Sequence, residues 1–483
     1  MAHLNYDNPL ITRYASRQMA ELWGPQRKFS MWRRLWLALA EAQHELGMPS
    51  ADSKTPRIKP EQLAELRQHL DDIDFDRAAE HEKRLRHDVM AHIHTLGEVA
   101  PGCKDIIHLG ATSCFVTDNT DLILIHEALG LIRGQLVGVI DGLARFAQQF
   151  RDLPTLGYTH FQPAQLTTVG KRACLWCFDF VLDLEEIERR IAGLPFRGVK
   201  GTTGTQASFL ALFQGDHAKV RELDRRVAAK MGFADVLPVT GQTYSRKLDS
   251  QVMDLLSGIA QSASKCATDL RLLAHEQEID EPSEAEQVGS SAMAYKKNPM
   301  RSERVCSISR FVTGLAPMAA ETAATQWLER TLDDSAARRL YLPQAFLGVD
   351  AVLRLMLNVV GGLKVNRAIV EQHVAEQLPF MATENLLMTG VAKGGDRQAL
   401  HERIRIHSND VASDRKSGVA SASLQQRLAN DPAFAGVDVA DELDARRFVG
   451  RAPEQVDEFI ATVVEPIRAR YPQHVNQSAT THV

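Results

Sequence analysis

Hydrophobic positions recur along the chain with the period of a helix far more often than with that of a strand. In "MWRRLWLALAEAQHELGMP", Trp32, Leu35, Trp36, Leu39 and Leu46 fall at steps that place them on one helical face, and Gly47 with Pro49 supplies the residues that end a helix. A polar, proline-containing linker over 50–60 follows, after which helical patterns resume with few breaks. Two segments, 164–194 and 248–274, hold the period well beyond the ~8–20 residues of an ordinary globular helix. In the second, Val252, Leu255, Ile259, Ala263, Cys266, Leu270 and Leu273 recur every three or four residues. Helices this long, apolar over more than one stripe, predict an all-α protein built on a long-helix bundle that other subunits complete. The Gly- and Thr-rich "FRGVKGTTGTQASF" (196–209) is read as a loop between bundle helices, because it lacks the phosphate-loop pattern and no βα rhythm leads into it.

A chain of 483 residues is too long for one simple core, so two or three domains are expected. The net charge of -5 argues against a general nucleic-acid binder, which needs a broad basic surface to displace counterions from phosphates. Any anionic ligand must therefore be met by cations gathered locally. The N-terminal sequence has no basic segment leading into an apolar one, and no stretch of about 18 uncharged apolar residues occurs, so no membrane association and a cytoplasmic location are expected. The six cysteines form no disulfide or metal framework; Cys174 and Cys177 are expected to be core thiols of a helix.

Three polar clusters stand out from this helical background. The first, from "RLRHDVMAHIHTLG" to "IIHLGATSCFVTDNTD", holds Arg86, His87 and Asp88, then Thr112 and Ser113. His87, His92 and His94 invite a metal reading but lack a familiar ligand spacing, and His87 alone suits either a structural hydrogen bond or catalysis. Thr117 and Asp118 fit the N-cap of the following helix. The second cluster, "LGYTHFQPAQLTTVGKR", places Thr159 and His160 where a long helix is expected to begin, and a histidine there can titrate near neutrality and donate a proton. The third, "QVGSSAMAYKKNPMRSERV", joins a small-residue serine loop to Lys296, Lys297, Arg301 and Arg304. A serine is basic only as a stabilised alkoxide, and backbone N–H groups of such a loop with a nearby ammonium such as Lys296 could supply that stabilisation. Further on, "WLERTLDDSAARR" adds Arg330, Ser335 and Arg339. Each arginine alone is as well explained by a solvated helix face; only together do they suggest an anion site.

"GSSAMAYKKNP" resembles the signature loop of the fumarase/aspartase superfamily, with Ala294 where that loop usually has proline. Together with "RHDVMAH", "GATS", "THFQPAQLTTVGKR", "TGQTYSRK", "NPMRSER" and "ERTLDDS", it makes nearly the whole chain similar to the adenylosuccinate lyases of that superfamily, in their longer, animal-type form. The resemblance implies a three-domain, fumarase/aspartase-like all-α fold, divided at 1–112, 113–364 and 365–483. It implies a homotetramer whose sites are shared between subunits, and fumarate elimination from adenylosuccinate and from SAICAR without metal or organic cofactor.

By motif, it implies Ser290 as general base, His160 as general acid and Lys296 as the stabiliser of the carbanion. His87 would pair with the substrate phosphate or assist His160. Arg13, Tyr14, Arg86, Asp88, Thr112, Ser113, Thr159, Gln242, Arg304, Arg330, Ser335 and Arg339 resemble the binding set. The nearest rival is another fumarate-releasing lyase of the superfamily, such as argininosuccinate lyase, whose substrate has no phosphate to occupy the arginines of "SER" and "ERTLDDS". A non-enzymatic protein that kept only the fold would need none of Ser290, Lys296 and His160.

Overall fold

The computed structural model describes residues 6–50, 55–284, 291–293, 295–419 and 423–479; Ser290 and Ala294 lie outside them. The elements that position the site are α1 (Pro25–Glu45), α2 (Phe75–Leu85), α3 (Asp88–Val99) and the 37-residue α4 (Ser113–Gln149). A hairpin of β1 (Pro154–Thr159) and β2 (Gln162–Thr168) leads into α5 (Val169–Ala192). Helices α6 (Lys247–His275), α7 (Met300–Ala324) and α8 (Asp333–Val360) complete the bundle, and α9 (Arg367–Met381) opens the C-terminal part. Besides this hairpin, one further pair of two-residue strands, at 279–280 and 364–365, is present among the described residues.

The largest apolar core lies between α4, α5, α6, α7 and α8, where the predicted stripe of α6 from Val252 to Leu273 is buried throughout. Each such Leu or Ile withdrawn from water contributes about 1.5–3 kcal/mol. A second core joins α1 to α3, the first turns of α4 and the segment 196–233; Trp32, Leu35, Trp36 and Leu39 sit inside it. A third lies among residues 382–439. Gly47, at φ +64°, carries the left-handed turn that ends α1, as its sequence position foretold. All six cysteines are buried thiols, Cys174 and Cys177 among them. Helices α4 and α8 are long and apolar enough to cross a membrane, but their apolar windows are mostly buried in the bundle.

Two expectations are corrected. The helix predicted from 164 begins only at Val169, because 154–168 folds as an antiparallel hairpin in which Pro163 faces Tyr158. Thr117 and Asp118 do not cap a helix: α4 already starts at Ser113, and both residues lie within it.

Candidate functional site

A cavity of about 890 Å³ opens where α2, α3, α4 and α8 meet the loops before α6 and α8. Its polar lining brings together Arg86, His87 and Asp88 from the α2–α3 junction with Thr112 and Ser113 from the start of α4. Gln242, Arg330, Ser335 and Arg339 complete the wall. Nine expected site residues, drawn from four separate stretches of sequence, thus share one cavity.

Local backbone chemistry fixes their directions. Arg86 ends α2 in the left-handed region, with φ 55° and ψ 34°, a conformation that costs a non-glycine residue energy and turns the chain sharply into α3. His87 is the N-cap of α3: the Met90 N–H donates to its Nδ1 at 3.3 Å. A neutral ring that accepts at Nδ1 carries its proton on Nε2, and Nε2 stands 3.4 Å from Ser113 Oγ at the cavity wall. The other two histidines point elsewhere. His92 stacks on Phe29 at 3.8 Å between centroids, where burial foremost, with Arg33, lowers its pKa to about 4. His94 stacks on His81. Among the described residues no cluster of three or more histidine, cysteine, aspartate or glutamate side chains could hold a metal.

Gln242 is held from both sides. Its Nε2 donates to Thr112 Oγ1 at 3.2 Å, its backbone N–H donates to Glu329 O at 2.9 Å, and its own carbonyl accepts from the buried Arg197 at 3.0 Å. Gly241 makes the second bond possible, since a Cβ there would stand 2.5 Å from Glu329 O. The loop that ends in Arg330 is thereby pinned to the loop that carries Gln242.

Along the inner wall of the cavity runs a buried ionic chain that sequence reasoning missed. Arg330 Nη1 donates to Asp334 Oδ1 at 3.1 Å; Asp334 Oδ2 accepts from Arg246 Nε at 2.7 Å; Arg246 Nη2 donates to Asp118 Oδ1 at 3.1 Å. Asp118 also accepts the Tyr244 N–H at 2.9 Å. Burial pushes the Asp118 carboxyl up, but Arg246, Arg338 and Arg197 outweigh it and hold the group below the usual carboxylate range. Arg330 is therefore braced by a buried carboxylate rather than lying on a solvated helix face. "TGQTYSRK" contains Arg246 and "ERTLDDS" contains Asp334, yet nothing in their spacing announces a pair 88 residues apart.

Removing one member of a buried pair strands the charge of the other. Arg246→Met is accordingly expected to cost about 3–5 kcal/mol of stability, measured by urea unfolding. A loss below about 1 kcal/mol would show that Arg330 and Arg338 suffice to compensate the two aspartates.

Among the described residues, the other expected ones do not line this cavity. Thr159 ends β1, and His160 is exposed at the hairpin tip, where it and Phe161 have φ of 53° and 58°. This pair of left-handed residues makes the primed two-residue turn that fits the twist of a hairpin, so His160 does not stand at a helix entrance as its sequence context suggested. Lys296 is exposed, its N–H bonded to Met293 O at 3.0 Å. Arg304 lies on the first turns of α7, and the guanidinium of Arg13 lies 5.7 Å from the Tyr14 ring. Arg301, grouped by sequence with the cations of this loop, is instead buried, donating to the Pro282 carbonyl and to Glu284.

Residues 16–314 match the family model described as "Lyase", and residues 379–459 the one described as "Adenylosuccinate lyase C-terminus". The chain is 50% identical over 460 residues to the adenylosuccinate lyase of Schizosaccharomyces pombe, covering 94% of both chains. It is 49% identical over 476 residues to that of Saccharomyces cerevisiae, covering 98% of this chain and 97% of the other. Among solved structures, the 3-carboxy-cis,cis-muconate lactonizing enzyme of Pseudomonas putida superposes with a TM-score of 0.80 at 19% identity, over 95% of this chain and all of the other, a likeness of fold alone. With half of its residues shared over nearly its whole length, the chain belongs to the adenylosuccinate lyase family.

Proposed function

We propose that this chain eliminates fumarate from adenylosuccinate, giving AMP, and from SAICAR, giving AICAR, with Ser290 as general base and His160 as general acid. The observation that carries the reading is the cavity itself. Arg86, Arg330 and Arg339 converge there with hydroxyls of Thr112, Ser113 and Ser335, the donor set that a phosphorylated, carboxylate-bearing nucleotide requires. A phosphate-free substrate such as argininosuccinate would leave part of that positive lining without a partner.

The chemical difficulty is a proton on carbon beside a carboxylate, whose removal adds charge to a group already anionic. In the proposed step the Ser290 alkoxide takes that proton, the electron pair forms the C=C bond of fumarate, and the C–N bond breaks as His160 protonates the leaving nitrogen. Lys296 stabilises the charge that develops on the carboxylate. His87, its Nε2–H directed at the cavity wall, pairs with the phosphate or assists His160. The remaining residues of the proposed binding set, Arg13, Tyr14, Asp88, Thr159, Gln242 and Arg304, position the substrate.

A homotetramer with shared sites belongs to the same proposal. Two features support it: among the described residues, Arg13, Tyr14, Thr159, His160, Lys296 and Arg304 of the proposed site do not line the cavity in a single chain, and α5 exposes Leu175, Phe178 and Leu182 along one stripe, 47–52% accessible, which a single chain leaves in water. A division at 1–112, 113–364 and 365–483 fits the starts of α4 and α9, although the second core runs across the first boundary. We place the protein in the cytoplasm.

The test is an ultraviolet assay with adenylosuccinate, in which loss of substrate absorbance with formation of AMP and fumarate is expected; no reaction across varied pH and salt would sink the reading. A chelator such as EDTA is expected to leave turnover unchanged, because His87, His92 and His94 diverge. Inactivation reversed by zinc would contradict that.

A further inference from the structure

Lys28 lines the cavity from α1. Its neighbour Arg27 turns away and is held by Glu127 of α4 at 2.5 Å. Lys28 instead lies with its ammonium 5.2 Å from the ring centroids of both Phe29 and Trp32, so the aromatic wall of the second core fixes it against one side of the cavity. The charges that act on it are Asp121, Arg339, Asp88 and Glu82. The Asp121 carboxylate is taken by Arg338 at 2.9 Å and that of Asp88 by Arg339 at 3.3 Å. Glu82 extends from α2 at the edge of the same cavity. No described carboxylate forms an ion pair with Lys28, and Arg339 repels it. Asp121, Asp88 and Glu82 attract Lys28 through space, but with none of them paired to it the ammonium keeps donor positions open toward the cavity it lines.

We propose that Lys28 is a further substrate-binding residue of this site and, with Arg339, holds the phosphate of the nucleotide. The inference rests on the functional reading above. The phosphate is favoured over the succinyl carboxylates because Lys28 shares its wall with Arg330, Ser335 and Arg339, the arginine and hydroxyl set that a phosphate-free substrate would leave without a partner. Burial foremost lowers the pKa of Lys28, and a bound dianion restores the charged form.

The experiment compares equilibrium binding of AMP, adenosine and succinate to the wild-type protein and to Lys28→Met and Lys28→Arg variants. Lys28→Met should bind AMP at least tenfold more weakly, with adenosine and succinate within twofold of wild type, and Lys28→Arg should recover most of the loss. Equal AMP affinity in Lys28→Met overturns the proposal, as does a parallel loss of adenosine, which would mark a role in cavity shape. A loss confined to succinate would assign Lys28 to the succinyl group and overturn it too. If wild-type protein binds no AMP, the functional reading fails instead. Should Lys28→Met not fold, the wild-type protein still decides: AMP should protect Lys28 from reductive methylation more than adenosine does, and equal labelling would reject the assignment.

Discussion

Ser290→Ala is expected to lower turnover by roughly 10³-fold while adenylosuccinate still binds within a few-fold of the wild-type affinity. In the proposed mechanism the two effects separate because the hydroxyl acts on a proton, whereas the cavity cations do the holding. Arg330 is fixed by Asp334 and the buried Arg246, and Arg339 by Asp88, so these anion-binding arginines are held in place by the residues around them. An interaction made only in the transition state lowers kcat and kcat/KM together and leaves ground-state binding alone. Single-turnover rates and equilibrium binding of intact substrate to the variant measure both sides of this claim. If the variant keeps more than about a tenth of normal turnover, a barrier change under ~1.4 kcal/mol, another group is the base.

The helices were legible because burial imposes a period. Val252 to Leu273 on α6 and Trp32 to Leu39 on α1 occupy the faces that their spacing assigned. The hairpin at 154–168 was not. Its strands are short, only part of β1 alternates, Gly157 and Pro163 interrupt them, and its turn is made by His160 and Phe161 in left-handed conformations that neither residue advertises. A sequence reader expects glycine or asparagine there. The turn therefore read as the entrance to the helix that begins at Val169, and the histidine was given the wrong local environment for its proposed role.

Residues that line the cavity could be named from the sequence, whereas their bracing could not. Arg86, Thr112, Gln242 and Ser335 could be named from motifs, and the fold brings them to one cavity. The Asp118–Arg246–Asp334 chain could not, because a buried ion pair has no period and its partners lie 128 and 88 residues apart. Asp118 illustrates the cost of reading locally: a short acidic residue near a helix start suits a cap, yet here it is a buried counter-charge one turn inside α4. Lys28 was missed for the same reason, since a lone lysine on an amphipathic helix ordinarily reaches into solvent.

Mixing two inactive proteins is expected to restore activity. In one chain the hairpin tip with His160 does not line the cavity that gathers Arg86, His87 and Arg330, so in the proposed tetramer the acid reaches each site from a neighbouring subunit. If Ser290 and His160 of each site come from different chains, a Ser290→Ala protein and a His160→Gln protein, dissociated and reassembled in equal amounts, form tetramers in which some sites draw both residues from unmutated copies. Random assembly makes that roughly one site in four, so about a quarter of wild-type turnover should return without any wild-type subunit. Native mass measurement must first show mixed tetramers. Mixed tetramers as inactive as either parent would place Ser290 and His160 of a site on one chain, and the exposed stripe of Leu175, Phe178 and Leu182 would then serve assembly without completing the site.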